Sequence, residues 1–229
     1  MNEQRQQLTN SILSVADWMK AHGISIPSDL ADNVDELKTV AYYNRSLWKS
    51  TRDFHAGDME AGEFIDEMIR LIEGQMRRAW NEGMRNVGLD PKTDMTPAFE
   101  AELQGIINGE FEHVLGFAES VEAAAAQGKP VDPFRSRVDM WSNRYNDVVN
   151  RAQVATKPEQ RYRWVYGDTD HCSTCLGLNG IVATGTDWTR SGYQPQSPPN
   201  YRLECGGWNC QCQLVPTSEP ITPGGIPQL

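Results

Sequence analysis

The C-terminal fold is decided by Cys172-Ser173-Thr174-Cys175 together with Cys205-Gly206-Gly207-Trp208-Asn209-Cys210-Gln211-Cys212. These stretches hold all five cysteines of the 229 residues, spaced C-x2-C-x29-C-x4-C-x-C, and the first 171 residues hold none. A C-x2-C turn directs two thiolates at one point, and a second cluster about thirty residues later can complete a tetrahedral site. We therefore predict a structural cross-link through zinc.

One zinc ion needs four of the five cysteines, and the sequence leaves open which four. Cys172 and Cys175 form the secure pair. Cys210 and Cys212, at i and i+2 in an extended chain, point to one face and can both reach the ion. Cys205 precedes a Gly-Gly turn, so it either replaces one of these ligands or remains a free thiol.

Zinc is favoured over disulfides, although disulfides stay an alternative. Residues 1–7 are polar and lack the apolar core of a signal peptide, and no run of about 18 apolar residues indicates a membrane span. We therefore expect a reducing cytoplasm, where clustered cysteines bind metal more often than they form disulfides. His171 is a further candidate ligand, ranked low because adjacent residues seldom bind one ion.

Residues 1–156 are predicted to form a helical bundle or an elongated helical arm, because apolar residues recur every three or four positions. The sequence predicts helices over about 3–21, from Ser28 or Asp29 to Ala41, from an N-cap at Asp58 to Val87-Gly88, from Thr96-Pro97 to Ala126, and from Asp132-Pro133 to about Ala155. Their inner faces include Leu30, Val34, Leu37 and Ala41 in the second helix, and Phe64, Met68, Ile72, Met76 and Trp80 in the third. No structure is predicted for residues 48–57.

Charge is unevenly distributed. The formal net charge is −10, and residues 161–229 contribute only four arginines against five carboxylates. A chain this acidic is not a general nucleic-acid binder, because phosphate contacts need clustered Lys and Arg. The last helix nevertheless has a basic face formed by Arg135, Arg137, Arg144 and Arg151. We interpret this face as a surface with ion pairs in preference to a DNA or partner contact.

Residues 157–216 are predicted to form a small cysteine-stapled, zinc-knuckle-like β domain, and residues 217–229 a Pro/Gly-rich tail that is disordered or dependent on a partner. Strands are predicted over 161–166, 180–184 and 210–215, with a short helical turn capped by Asp187 and ended by Gly192. A core of this size seldom supplies enough stability alone. A tetrathiolate zinc site can contribute on the order of 10 kcal/mol.

A catalytic role is not favoured. Zinc deaminases use an H-x-E motif, and none occurs in the chain. Neither a glycine-rich phosphate loop nor an H-E-x-x-H motif is present in the helical part. Cys172 beside His171 is the one candidate for a cysteine nucleophile, and its C-x2-C setting indicates metal ligation instead. We therefore predict that the protein is not an enzyme.

The order of residues from Trp164 to Leu176, then Asn179-Gly180, Trp188, Gly192, Pro195, Pro198 and Cys205 to Cys212, resembles a known signature. It is similar to the C-terminal module of tailed-phage head-morphogenesis proteins, the Mu F-like minor head proteins. The resemblance covers about residues 161–216, and the helical part agrees only in character. Family members commonly carry a histidine a few residues before the final C-x-C. Here residues 198–201 have none, and Cys205 occupies that neighbourhood.

The resemblance implies a minor structural protein of the virion, assembled in the host cytoplasm and located in the capsid interior near the portal vertex. It would aid assembly, DNA packaging or retention, or ejection. Its partners would be the portal protein and the inner capsid, with packaged DNA as a weaker candidate. No contact with a membrane is expected, and the protein could be present in several copies. Two alternatives remain: a zinc-ribbon-like nucleic-acid-binding module and, less favoured, a zinc-dependent enzyme.

Overall fold

The structure is a computed structural model that describes residues 40–167, 169–208 and 210–227. The predicted first helix, and the second as far as residue 39, lie outside the described residues. Ala41, predicted on the inner face of the second helix, is exposed. Within the described residues, no helix is both long and apolar enough to cross a membrane.

Four long helices build the N-terminal part of the described chain. They are α1 (Val40–Ala56), α2 (Ala61–Asn86), α4 (Pro97–Ala126) and α5 (Arg135–Thr156), with a single turn α3 (Pro91–Asp94) and a 3-10 turn (Asp132–Phe134) between them. Helix α2 packs against α1, α4 and α5, most extensively against α5. Residues 40–156, called the helical part below, therefore form a bundle around α2.

The predicted apolar stripe of α2 is the centre of this bundle. Its members Phe64, Met68, Ile72, Met76 and Trp80 are all fully buried. Aromatic rings extend the core between helices: Phe117 of α4 meets Phe134 and Trp141 edge to face, at centroid distances of 5.7 and 5.0 Å. The four-residue spacing thus identified the inner face correctly.

Some predicted helix ends are confirmed, and two starts are wrong. Thr96 caps α4 by accepting the Phe99 N–H at 3.2 Å. Helix α2 begins after Glu60, because the Asp58 N–H donates to Asp53 O at 2.9 Å and so belongs to the C-terminal motif of α1. Asp132 lies in the 3-10 turn, so α5 itself begins only at Arg135.

Gly83 marks the closest approach of α2 and α5. A Cβ atom at this position would lie 2.6 Å from both Ala152 Cβ and Val149 O. We expect Gly83→Ala to destabilise the fold by about 2 kcal/mol, because overpacking outweighs the better helix propensity of alanine. Equilibrium unfolding in urea measures this change.

Gly116 of α4 is the matched control, since a Cβ atom at this position would meet no atom of another element within 4 Å. Gly116→Ala should stabilise the protein by roughly 0.5–1 kcal/mol through helix propensity alone. Stabilisation by both substitutions would contradict the close packing of α2 on α5.

A three-stranded antiparallel sheet follows the helices. Strands β1 (Arg161–Val165), β2 (Val182–Thr184) and β3 (Gln213–Pro216) lie in the order β2-β1-β3, with Arg163 opposite Val182 on one side and Val215 on the other. Two short helices, α6 (Ser173–Leu178) and α7 (Gly185–Ser191), precede and follow β2. Residues 161–216 are called the cysteine module below.

The sequence predictions for this module need three corrections. Strand β2 begins at Val182 instead of residue 180, and β3 begins at Gln213 instead of residue 210. The N-cap of α7 is Thr184, whose hydroxyl accepts the Asp187 N–H at 3.1 Å, while Asp187 accepts from that hydroxyl in return. Gly192 ends α7 in the left-handed conformation, as predicted.

The cysteine module has its own core. It contains Tyr162, Trp164, Cys175, Leu178, Ala183, Trp188, Tyr193, Leu203, Cys210, Cys212 and Leu214, joined by Val154 of α5. Aromatic rings and sulfurs supply most of it, and few aliphatic side chains take part. The predicted fold class, mainly helical with a small C-terminal sheet and clustered cysteines, is confirmed. The domain division at residues 156 and 216 stays a prediction.

Both outer edges of the sheet are covered. Asn150 Oδ1 accepts the Leu214 N–H at 2.9 Å, and Gln153 Nε2 donates to Leu214 O at 3.0 Å, so α5 side chains take the place of a fourth strand. On the other edge, Thr222 N donates to Val182 O at 2.9 Å, and its hydroxyl accepts the Val182 N–H at 2.8 Å. Thr217 and Thr222 of the tail thus bond to the sheet, where the sequence predicts disorder or dependence on a partner.

Candidate metal centre

The first cysteine pair is positioned by α6. Cys172 is the N-cap residue of this helix, and its sulfur accepts the Cys175 N–H at 3.5 Å. The predicted C-x2-C turn is therefore the first turn of a helix, which presents both sulfurs on one side. The Ser173 N–H and hydroxyl at the same helix start bind the carboxylate of Glu204.

The second cysteine group lies on the loop that leads into β3. Gly206 and Gly207, with φ of +64° and +80°, turn the chain after Cys205. The Cys210 sulfur accepts the Cys212 N–H at 3.4 Å, and Gln196 Nε2 donates to Cys212 O at 2.9 Å. Cys210 and Cys212 precede the strand instead of lying in it, yet both sulfurs face the first pair.

All five cysteines converge, and all are free thiols without disulfide bonds. Cys172, Cys175 and Cys205 form one group, and Cys175, Cys210 and Cys212 form another; within each group the sulfurs lie within 4.8 Å of one another. The two groups share Cys175. The second group is fully enclosed, whereas Cys172 and Cys205 are half-buried. Among the described residues, no further cysteine, histidine or carboxylate completes either group within that distance.

Contacts among the sulfurs shift their pKa values in opposite directions. Hydrogen bonds from the Cys175 and Cys212 thiols lower the pKa of Cys210 to about 2, against the effect of burial. The pKa of Cys175 is raised, since its thiol donates to Cys210 and Cys212. Burial acts to raise the pKa of Cys172, but N–H groups of Cys175 and Cys205 outweigh it and lower that pKa. Each group thus has one sulfur that favours the thiolate, the form that binds metals.

Two neighbouring side chains complete the surroundings. The indole of Trp164 is fully buried, and its N–H has no hydrogen-bond partner among the described residues. The Cys175 thiol acts to lower the pKa of Cys212, but Cys210 and burial outweigh it and raise that pKa to about 12, and the Trp164 N–H adds only a minor lowering. His171 Nδ1 lies 3.9 Å from Cys212 Sγ, while its Nε2 is held by Gly167 O at 2.9 Å.

The residues present fit a metal ion. The donors are sulfurs gathered from two distant segments, and Trp164 offers a buried N–H that a metal-bound thiolate of Cys212 would satisfy. A histidine with one ring nitrogen fixed by a carbonyl and the other facing the site is the usual arrangement around metals. The cysteine cluster can therefore hold a metal ion.

The sequence identifies every cysteine of this cluster, but it ranks one supporting residue low and gives no sign of another. His171 ranks low by sequence because it adjoins Cys172, yet the structure directs His171 towards Cys212 of the other group. The alternating pattern of β1 indicates that Trp164 is buried, although nothing in the sequence indicates its approach to Cys212. That approach depends on the pairing of β1 with β3.

The basic face of α5 is used within the molecule. Arg144 donates to Glu110 of α4 at 2.8 Å and to the fully buried Asp147 at 2.6 Å, and Arg151 reaches the same Asp147 at 3.1 Å. Arg135 pairs with Asp139 at 3.1 Å. Arg137 lies over the ring of Trp141. Ion pairing, the favoured interpretation, is confirmed for three of the four arginines, although Arg144 is more buried than a surface residue.

Comparisons of the chain with models of known protein families, with curated proteins and with solved structures gave no match.

Proposed function

We propose that this chain is a minor head protein of a tailed phage, a structural component of the capsid interior that binds near the portal. There it would aid assembly, DNA packaging or retention, or ejection. The observation that carries the proposal is the resemblance of residues 161–216 to the head-morphogenesis signature. The five cysteines that belong to this resemblance are also the ones that meet in space.

The metal of the cluster is proposed to be zinc, in a structural role. Groups of thiolates select zinc among the common divalent ions of cells. The small aromatic core of the cysteine module is the kind that needs such a cross-link. The nearby carboxylate of Glu204 is already engaged, because it binds the start of α6. This contact favours a structural site over a hydrolytic one.

Internal use of the arginines favours the capsid role over nucleic-acid binding. Arg144 and Arg151 donate hydrogen bonds to Asp147, Glu110 and Ser197. Few cations of this basic face are therefore left to bind phosphates. Filter binding of duplex DNA across a salt series tests this ranking. We expect weak binding, whereas tight binding with a steep salt dependence would favour the nucleic-acid-binding alternative.

The test of the main proposal is co-expression with the portal protein encoded in the same genome. We expect the two proteins to co-purify through size-exclusion chromatography. A Cys172→Ser/Cys175→Ser variant shows whether the cysteine module is needed for the complex, and Asp66→Ala, at an exposed position of α2, is the control. Mass spectrometry of purified virions should also detect the chain. Its absence from virions, together with a portal that elutes alone, would contradict the proposal.

A further inference from the structure

We propose that the cysteine cluster binds two zinc ions, bridged by the sulfur of Cys175. The first ion is held by Cys172, Cys175 and Cys205, and the second by Cys175, Cys210 and Cys212. His171 Nδ1, 3.9 Å from Cys212 Sγ but outside the distance that the three sulfurs share, moves closer on binding and becomes the fourth ligand of the second ion. This inference rests on the zinc binding proposed above and changes the predicted use of the cysteines from four to all five.

The division of the sulfurs into two groups is the first argument. Two sulfurs on one tetrahedral zinc lie about 3.8 Å apart, given a Zn–S distance of about 2.3 Å. Cys175 and Cys210 match this spacing, with 4.0 Å between their sulfurs. A single tetrathiolate site needs four sulfurs that are all mutually close. Among the described residues, such closeness holds for three sulfurs at a time, in two groups.

The position of Cys175 is the second argument. It is the one cysteine that belongs to both groups, and its side chain is fully buried between them. A thiolate sulfur has enough lone pairs to bind two ions at once. With one ion, one of the five converging sulfurs would remain an unbound thiol in the core, whereas two ions use every sulfur and leave a single excess negative charge.

The surroundings of the two groups differ in a way that suits two ions. The second group is enclosed and has His171 Nδ1 at 3.9 Å from Cys212 Sγ, on a ring fixed by Gly167 and packed against Tyr166. The first group lies nearer the surface, since Cys172 and Cys205 are half-buried. Among the described residues, no further cysteine, histidine or carboxylate lies within 4.8 Å of all three of its sulfurs. His171 and Cys172, although adjacent in sequence, serve different ions.

Metal titration of the wild-type chain is the decisive experiment. The apoprotein is titrated with Zn²⁺ and the stoichiometry is read by native mass spectrometry. We expect two ions per chain. Saturation at one ion per chain would overturn the inference while leaving the proposed zinc site intact, and no bound zinc at all would overturn both.

Variants assign the ions to the two groups. Cys205→Ser should reduce the stoichiometry from two ions to one, whereas Tyr201→Ala, at an exposed position outside both groups, should retain two. Retention of two ions by Cys205→Ser would contradict the assignment. Because a cysteine variant can fail to fold, Co²⁺ substitution of the wild type is the independent measurement. The EPR intensity per cobalt should decrease when the second equivalent is added, because a bridging thiolate couples the two spins. An unchanged intensity would exclude the bridge.

His171 has its own test. His171→Ala should lower the affinity for the second ion about ten- to a hundredfold. It should also shift the visible absorption of the second cobalt equivalent, since water replaces a nitrogen ligand. Leu176→Ala, at an exposed position of α6 outside both groups, is the control and should leave that absorption in place. An unchanged spectrum in His171→Ala would exclude this histidine as a ligand.

Discussion

A strong chelator should unfold the cysteine module while the helical part stays folded. Structural zinc contributes on the order of 10 kcal/mol to the apparent folding free energy of small domains, and the module has little else to replace it. The core of the helical part contains no cysteine and depends on apolar contacts around α2. Metal removal should therefore act on one core and spare the other.

Circular dichroism separates the two outcomes of chelation. Trp164 and Trp188 pack in the module with ring centroids 5.5 Å apart, so its loss should reduce the near-ultraviolet signal. The far-ultraviolet helical signal should largely persist. The Cys172→Ser/Cys175→Ser variant is the control and should respond little to the chelator. Loss of both signals together would show that the helical part depends on the metal as well.

Asp147→Ala should have the second largest effect, a loss of about 3 kcal/mol in the free energy of unfolding. This carboxylate is fully buried and accepts from Arg144 at 2.6 Å and from Arg151 at 3.1 Å. Its removal would leave two guanidinium groups in a mainly enclosed site with fewer partners. Arg151 also donates to Ser197 of the cysteine module at 2.7 Å, so the contact between the module and α5 should loosen.

Glu219→Ala is the control for Asp147. Glu219 is paired with Arg163 at 3.0 Å, and both side chains are more than 40% exposed. Exposed ion pairs contribute about 1 kcal/mol or less. Urea unfolding of both variants provides the comparison. Equal losses would show that the buried network around Asp147 adds nothing beyond an ordinary surface pair.

The inner face of α2 could be predicted because it is encoded within one continuous segment, whereas α1 (Val40–Ala56) is not predicted beyond Ala41. Phe64 to Trp80 repeat every fourth residue, and Thr96-Pro97 signals a helix start by itself. The predicted start at Asp58 is wrong because the same residue can close one helix or open the next. Its N–H bonds back to Asp53 in the structure. The Thr184-x-x-Asp187 capping pattern is present in the sequence, but the prediction assigns the cap to the wrong partner.

The metal centre could be predicted in its residues but not in its arrangement. Spacing alone indicates that the cysteines meet, since a C-x2-C pair and a C-x-C pair each direct two sulfurs to one side. The sharing of Cys175 between two groups depends on how the loop before β3 folds over α6. The approach of Trp164 to Cys212 likewise needs β1 and β3 to pair, and strand pairing between distant segments leaves no local mark in the sequence.

The covered sheet limits how copies of this chain can associate. A bare edge strand is a template on which further strands add, and such addition leads to open-ended fibres. Here Asn150 and Gln153 occupy one edge at Leu214, and Thr222 occupies the other at Val182. Copies at high local concentration therefore find no free backbone N–H or C=O groups on which to add a strand at these two positions. Self-association there must use side-chain surfaces, which can be specific in geometry and can stop at a fixed number of subunits.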